Sequence, residues 1–66
     1  MTEKADEIDT TNKFLVSANT SGEFAIYRLP VGLIPKQDAL LLAAYIVSMA
    51  CDDALWKRTL EAVQNT

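Results

Sequence analysis

The feature that most constrains this chain is the run ALLLAAYIVSMAC, residues 39–51, in which Ser48 is the one clearly polar side chain. The run is too short to cross a bilayer, which needs about 20 consecutive apolar residues. It predicts a helix over residues 35–51, with Pro35 at the first helical position and Asp38 near the positive end of the helix dipole. A helix that packs on one sheet needs a single apolar stripe. This helix is apolar on every side, so we expect more apolar surface than one copy of the chain covers.

The small size of the chain makes self-association the expected source of extra stability. Sixty-six residues bury a modest fraction of their surface, and small scaffolds are usually stabilised by disulfides, a metal or other subunits. The single cysteine, Cys51, excludes an intrachain disulfide, and no histidine is present to help it form a zinc site. We expect Cys51 to be reduced and buried. The sequence therefore predicts an obligate homo-oligomer, a dimer or a higher even-numbered assembly. The predicted interface consists of Leu15, Leu42, Ala43, Ile46, Val47, Met49 and Ala50.

Two strand-like runs precede the helix, residues 13–18 (KFLVSA) and 23–29 (EFAIYRL). The polar sequence between them ends in Gly22, and a short loop that contains glycine favours a β-hairpin. We favour a three-residue loop with Gly22 in the left-handed conformation, which pairs Val16 with Ile26 and Ala18 with Phe24, whereas a loop of two or four residues would give another register. One face of the hairpin then carries Phe14, Val16, Phe24 and Ile26, and the other carries Leu15, Ala25, Tyr27 and Leu29.

Asp52 and Asp53 follow the apolar run, and either carboxylate can cap a second helix. Residues 53–64 are amphipathic and favour a helix, whether or not it continues the first one. The predicted fold class is therefore α+β: an N-terminal β-hairpin followed by one long kinked helix or two consecutive helices, in a single domain over residues 13–64. Residues 1–12 are polar and acidic and are predicted to form a disordered tail.

The net charge of −3 is carried by the N-terminal segment. Residues 1–12 hold four acidic side chains and one basic side chain, whereas residues 13–66 hold five of each. A neutral body with an acidic tail argues against nucleic-acid binding, which needs a basic patch. The acidic, polar N-terminus is unlike a signal peptide, which predicts a cytoplasmic protein that does not enter a membrane. Since the chain lacks histidine and has no paired carboxylates outside the cap and the tail, we expect no enzymatic activity, metal or cofactor.

Basic and aromatic side chains near the predicted helix and strand ends are the candidates for binding a small anion. Arg28 ends the second strand beside the connector, close in sequence to Lys36 at the start of the helix. Helix N-termini favour anions, guanidinium groups suit phosphates, and aromatic faces suit bases. The plainer interpretation is that the tryptophan lies at a core edge and that the basic pair after it is a solvated helix face. The candidate ligand-binding set is Tyr27, Arg28, Lys36, Gln37, Tyr45, Trp56, Lys57 and Arg58.

The stretch PKQDALLLAAYIVSM, residues 35–49, resembles a pattern found in small phage and prophage proteins. In those proteins a hairpin precedes a helix that opens with a charged turn and continues as Asp/Glu-Ala-Leu-x-Leu-Ala-Ala-aromatic-Ile/Leu-Val, which corresponds here to residues 38–47. The chain departs from the pattern at Leu41, where a polar residue is common, and at Pro35, where Ser or Thr caps the helix. The resemblance covers residues 13–63 loosely and residues 35–49 more closely, and it carries over no ligand-binding residue.

Some tiny phage-encoded oligomers counter bacterial defence by sequestering nucleotide second messengers in pockets between their subunits. The resemblance therefore implies a non-catalytic oligomeric binding protein that holds a small anionic nucleotide at its subunit interfaces, in the cytoplasm of a bacterial host. The alternative hypothesis is a protein–protein inhibitor or an assembly protein, which acts through its apolar helix face or its acidic tail.

Overall fold

The computed structural model describes residues 8–66 of the chain. Two short antiparallel strands, β1 (Val16–Ala18) and β2 (Phe24–Ile26), precede two helices, α1 (Lys36–Ala50) and α2 (Asp53–Gln64). The predicted α+β arrangement of a hairpin followed by helices is confirmed, and the helical region consists of two consecutive helices. The predicted disordered tail comprises residues 1–12, of which residues 1–7 lie outside the described residues, and its disorder stays a prediction.

The hairpin has the predicted register and turn. Val16 pairs with Ile26, and Gly22 adopts a left-handed backbone with a φ of +85°. The side chain of Asn19 stabilises the turn, because its Oδ1 accepts a hydrogen bond from the backbone N–H of Ser21 at 2.9 Å. The loop length determines which side chains face α1, since a shift of one residue would move every side chain to the opposite face of the sheet.

Each strand is shorter than the run that predicts it, because Leu15 interrupts the ladder. Leu15 has a φ of +52°, in a left-handed region that leucine seldom adopts. Backbone pairing nevertheless continues beyond it: Tyr27 N–H donates to the Leu15 carbonyl at 3.3 Å, and Arg28 N–H donates to the Phe14 carbonyl at 3.0 Å. The hairpin is therefore held together by more backbone hydrogen bonds than its three-residue strands alone contain.

Asn12 covers the outer edge of β1 in the way that a neighbouring strand would. Its Oδ1 accepts a hydrogen bond from the Val16 N–H, and its Nδ2 donates one to the Val16 carbonyl, both at 3.0 Å. One side chain thus satisfies both outward backbone groups of Val16. Since unpaired edge groups are the places where another strand can add, Asn12 closes β1 at its first residue.

The first helix begins one residue later than predicted. Pro35 is the N-cap, with φ −64° and ψ 151°, and Lys36 is the first helical residue. The proline ring fixes a φ compatible with the helix start, and its missing N–H removes no helical hydrogen bond. Asp38 lies in the first turn of α1 and accepts a hydrogen bond from Lys13 Nζ at 3.2 Å. This contact joins the start of α1 to the base of the hairpin.

The prediction that Cys51 is buried is wrong. Cys51 follows the last residue of α1 with a φ of +53°, and its side chain is exposed. It lies at the turn between the two helices instead of within α1, so no element within residues 8–66 packs over the thiol.

The core lies between β1 and α1, which pack on each other. Phe14 and Val16 are buried, with 8% and 3% of their surface exposed. The predicted apolar face of the hairpin is covered mainly on its β1 side, because Ile26 is half-buried and Phe24 is 38% exposed. The predicted oligomer-interface residues fall into two groups in one copy: Leu42, Ile46, Val47 and Met49 are half-buried, and Leu15, Ala43 and Ala50 are exposed.

Candidate interaction surface

The junction of α1 and α2 forms an apolar cleft of about 270 Å³, which we call the elbow cleft. The last turns of α1 supply one wall, and the cap and first turns of α2 supply the other. Three of its residues, Ile46, Val47 and Ala50, belong to the interface predicted from the sequence. The complete lining is Ile46, Val47, Ala50, Asp52, Leu55, Trp56 and Thr59.

The elbow cleft results from the way the first helix ends and the second begins. Cys51 terminates α1 in the left-handed conformation, and its N–H donates to the Val47 carbonyl at 3.3 Å. Asp52 then caps α2, since its carboxylate accepts a hydrogen bond from the Leu55 N–H at 3.0 Å. A left-handed residue directly followed by an N-cap lets the chain change direction within two residues. Apolar side chains from both helices therefore line one concavity.

The polar groups of the elbow cleft are already engaged with the backbone. The Asp52 carboxylate is the cap of α2, and the Thr59 hydroxyl donates to the Leu55 carbonyl at 2.8 Å. A general acid or base must be free to exchange a proton with a substrate. The cleft consequently offers apolar contact area and little acid–base chemistry.

The apolar face of α2, formed by Leu55, Trp56, Leu60 and Val63, continues from the elbow cleft to the end of the helix and is open to solvent. Trp56 is 39% exposed and Val63 is 65% exposed. Every residue of α2 is exposed in one copy, although the helix is clearly amphipathic. Contiguous exposed apolar surface of this kind marks interaction sites in soluble proteins.

The polar residues predicted to bind an anion lie in three separate places. Arg28 follows β2, Lys36 and Gln37 begin α1, and Lys57 and Arg58 lie on α2. All five side chains are exposed, and within residues 8–66 none of the basic ones forms an ion pair. Three turns of α1, roughly 16 Å at 1.5 Å per residue, separate the start of that helix from the elbow cleft. The start of α1 and the elbow cleft are therefore separate sites.

The three aromatic candidates have different surroundings. Tyr27 lines a separate cleft of about 430 Å³ on the hairpin. The hydroxyl of Tyr45 donates to the Thr10 carbonyl, so it is engaged with the N-terminal segment. Trp56 lines the elbow cleft and is followed directly by Lys57. Trp56 is thus the aromatic candidate that lies on the apolar surface next to basic side chains.

Residues 9–13 make contacts that the sequence interpretation did not include. Lys13 Nζ lies 3.7 Å from the carboxylate of Asp9 and 3.2 Å from that of Asp38, and the hydrogen bond to Asp38 is the main cause that raises the pKa of Lys13. Thr11 N–H donates to Asp9 Oδ1 at 3.0 Å, and hydrogen bonding by Thr11 lowers the pKa of Asp9. An Asp that bonds a backbone N–H two residues later is an Asx turn, a local signal that the sequence did contain.

Two further features are absent from the part of the chain that the structure describes. No helix there has the length and apolarity to cross a membrane. No three acidic or cysteine side chains there lie close enough together to hold a metal ion.

The chain matches no protein-family model, no curated protein and no solved structure. The resemblance to small phage proteins stays a prediction.

Proposed function

We propose that the chain is a non-catalytic binding protein that works as a homo-oligomer, in which a second copy covers the elbow cleft and the apolar face of α2. The observation that carries this proposal is that every residue of α2 is exposed, while Phe14 and Val16 are the buried apolar residues among positions 8–66. A helix of 12 residues is marginal in water without tertiary packing. Self-association supplies that packing.

The sequence of α2 suits an antiparallel pair of identical helices. In a pair centred at Thr59, Leu55 of one copy lies level with Val63 of the other, so that the two apolar faces meet along the helix. Trp56 then lies level with Ala62, which places the largest side chain of the face beside a small one. A two-fold interface repeats each such contact twice, which is why homodimers commonly use one.

The ligand in this proposal is a small anionic nucleotide, held at the rim of the same interface. Arg58 is exposed on the polar side of α2, two residues after Trp56 in the sequence, and within residues 8–66 it pairs with no carboxylate. A guanidinium group binds phosphate in a bidentate manner, and an indole face can stack on a base. Arg28 and the other candidates could join this site only through the arrangement of copies. Sequestering a nucleotide signal in the cytoplasm of a bacterial host, to counter bacterial defence, is the role that the phage resemblance implies.

In the alternative proposal, a different protein instead of a second copy binds the elbow cleft and the apolar face of α2. A host protein that docks on the elbow cleft would make the chain a protein–protein inhibitor or an assembly protein. The same exposed apolar face of α2 favours this function. It differs from the first proposal in that the chain alone would not self-associate through α2.

Native mass spectrometry of the Leu55→Asp variant tests the self-association. Leu55 lines the elbow cleft, whereas Leu33 is fully exposed in the connector, so Leu33→Asp is the matched control. We expect the unchanged chain and the control to form an even-numbered oligomer, and Leu55→Asp to dissociate at least tenfold more readily because a buried unpaired carboxylate is costly. A monomeric unchanged chain would contradict the proposal.

The same spectra test the ligand, because a retained nucleotide adds its mass to the oligomer. Arg58→Ala should lose that mass while the oligomer persists, and Arg28→Ala identifies whether the strand-end arginine also contributes. An oligomer of unchanged mass, after gentle purification from bacteria, would refute the nucleotide part of the proposal and leave self-association standing.

A further inference from the structure

We infer that a second copy of the chain also adds to the open edge of β2, in an antiparallel pairing about a two-fold axis at Ala25. The two hairpins then form one four-stranded sheet. This inference rests on the proposed homo-oligomer for its partner and adds a second interface to it.

The hydrogen-bonding pattern of the hairpin identifies which backbone groups face outwards. Asn19 N–H donates to the Glu23 carbonyl at 3.0 Å, and Tyr27 N–H donates to the Leu15 carbonyl at 3.3 Å. In an antiparallel ladder, pairs that exchange hydrogen bonds alternate with pairs that do not. The bonded pairs are therefore these two and the pair midway between them.

The midway pair is Ser17 with Ala25. Ala25 consequently directs its N–H and carbonyl towards β1. Its two neighbours, Phe24 and Ile26, direct theirs away from β1, towards the outer edge of β2. Two N–H donors and two carbonyl acceptors thus point outwards in a row.

The two edges of the hairpin differ in how they are covered. On the β1 edge, the amide of Asn12 occupies both outward groups of Val16. On the β2 edge, no side chain or backbone group from positions 8–66 bonds the outward groups of Phe24 or Ile26. Open edges of this kind pair with other strands, and a two-stranded hairpin is marginal until a further strand or a helix packs on it.

The occupant that fits this edge is a second β2. With Ala25 of one copy opposite Ala25 of the other, Phe24 of each pairs with Ile26 of the other, and all the outward groups of both copies are used. Phe24, which is 38% exposed in one copy, then lies beside an isoleucine on the face that packs on α1. Aromatic and β-branched side chains are favourable cross-strand neighbours.

Charge supports the same antiparallel arrangement. Glu23 precedes β2 and Arg28 follows it two residues after its last residue, and both side chains are exposed. Antiparallel pairing brings the acidic end of one strand next to the basic end of the other. A parallel second copy would bring like charges together, which is unfavourable.

Disulfide cross-linking of the full chain tests the register directly. The Ala25→Cys variant, with Cys51→Ser to remove the exposed native thiol, places two cysteines on the proposed axis. Residues opposite each other in such a non-hydrogen-bonded pair have Cα atoms about 4.5 Å apart, which a disulfide spans. The matched control is Ser17→Cys in the same background, since Ser17 is the hairpin partner of Ala25 but belongs to the other strand.

We expect the Ala25→Cys variant to form a covalent dimer on mild oxidation at least tenfold faster than the Ser17→Cys control, as measured by non-reducing electrophoresis. Equal rates, or no dimer while native mass spectrometry still shows an oligomer, would overturn the inference. Repeating the oxidation with Leu55→Asp separates the two proposals. A fast dimer in that background supports the β2 interface whatever happens at α2.

Discussion

The two helices of this protein differ in what covers them. β1 packs on α1, and Lys13 and Tyr45 tie α1 to residues 9–13. By contrast, within residues 8–66 α2 borders α1 at the elbow cleft and exposes every one of its residues. Both helices contain large apolar side chains, so hydrophobicity alone does not decide which one is packed. The small size of the hairpin determines which helix is packed, because strands of three residues cover one side of one helix.

The largest expected effect on stability comes from a change in the small core between β1 and α1. Val16→Ala removes methyl groups from a side chain that is 3% exposed, and it should lower the free energy of unfolding by about 2 kcal/mol through lost burial and a residual cavity. Val31→Ala is the matched control, since Val31 is 94% exposed in the connector, and it should change stability by less than about 0.5 kcal/mol. Urea denaturation at one fixed protein concentration measures both. Equal losses would show that β1 and α1 do not form the core.

A somewhat smaller effect is expected when the closed edge of β1 is opened. Asn12→Ala removes both hydrogen bonds to Val16 and should lower the free energy of unfolding by about 1–2 kcal/mol. The reason is that the N–H and the carbonyl of Val16 lose their partners together. Asn12→Asp keeps the acceptor for the Val16 N–H and should recover part of the loss. Hydrogen exchange of the Val16 amide reports the contact itself, and protection that survives in the Asn12→Ala variant would contradict this role.

The hairpin was the most predictable part of the fold. A glycine at the end of a short polar loop left few registers, and the pairing of Val16 with Ile26 follows from Gly22 in the left-handed conformation. The start of α2 was also predictable, because an Asp after an apolar run is a helix-capping signal. The Asp52 carboxylate does cap α2 by accepting a hydrogen bond from the Leu55 N–H.

Other features depended on contacts that no local pattern reports. Leucine and cysteine give no signal for a positive φ, yet Leu15 and Cys51 both adopt one, and the second of these creates the bend that forms the elbow cleft. The positions of the basic candidates relative to one another also depend on the tertiary fold. The assignment of Ile46 and Val47 to an oligomer interface stays a prediction, and both side chains are half-buried.

The cap of α2 provides a third test of the difference between the packed α1 and the exposed α2. Asp52→Ala should lower stability by about 1 kcal/mol, since the Leu55 N–H loses its acceptor, and the loss should be confined to α2 because that helix is barely packed on the rest of one copy. The control Asp53→Asn alters charge at the first helical residue while leaving the capping carboxylate in place, and it should have a smaller effect. Amide exchange resolved by residue distinguishes a local loss in α2 from a global one. Equal acceleration in α1 would show that the two helices unfold together.

The smallest effects belong to the ion pairs of Lys13, one with the exposed Asp9 and one with the half-buried Asp38 of α1. The pKa of Asp9 is lowered from 3.8, first by hydrogen bonding from Thr11 and less by the charge of Lys13, so its contribution to stability is present above pH 3.8 and is lost as the pH falls through the lowered value. The pKa of Lys13 is raised from 10.5, so its contribution is present below that pH and is lost only above the raised value. Stability should therefore not respond to these two groups between these limits. NMR titration should show that Thr11→Val, which removes the hydroxyl and keeps the backbone N–H, moves the pKa of Asp9 back towards 3.8 by more than Lys13→Gln does. The opposite order would mean that the charge of Lys13, and not the Thr11 side chain, is the larger cause of the lowered pKa.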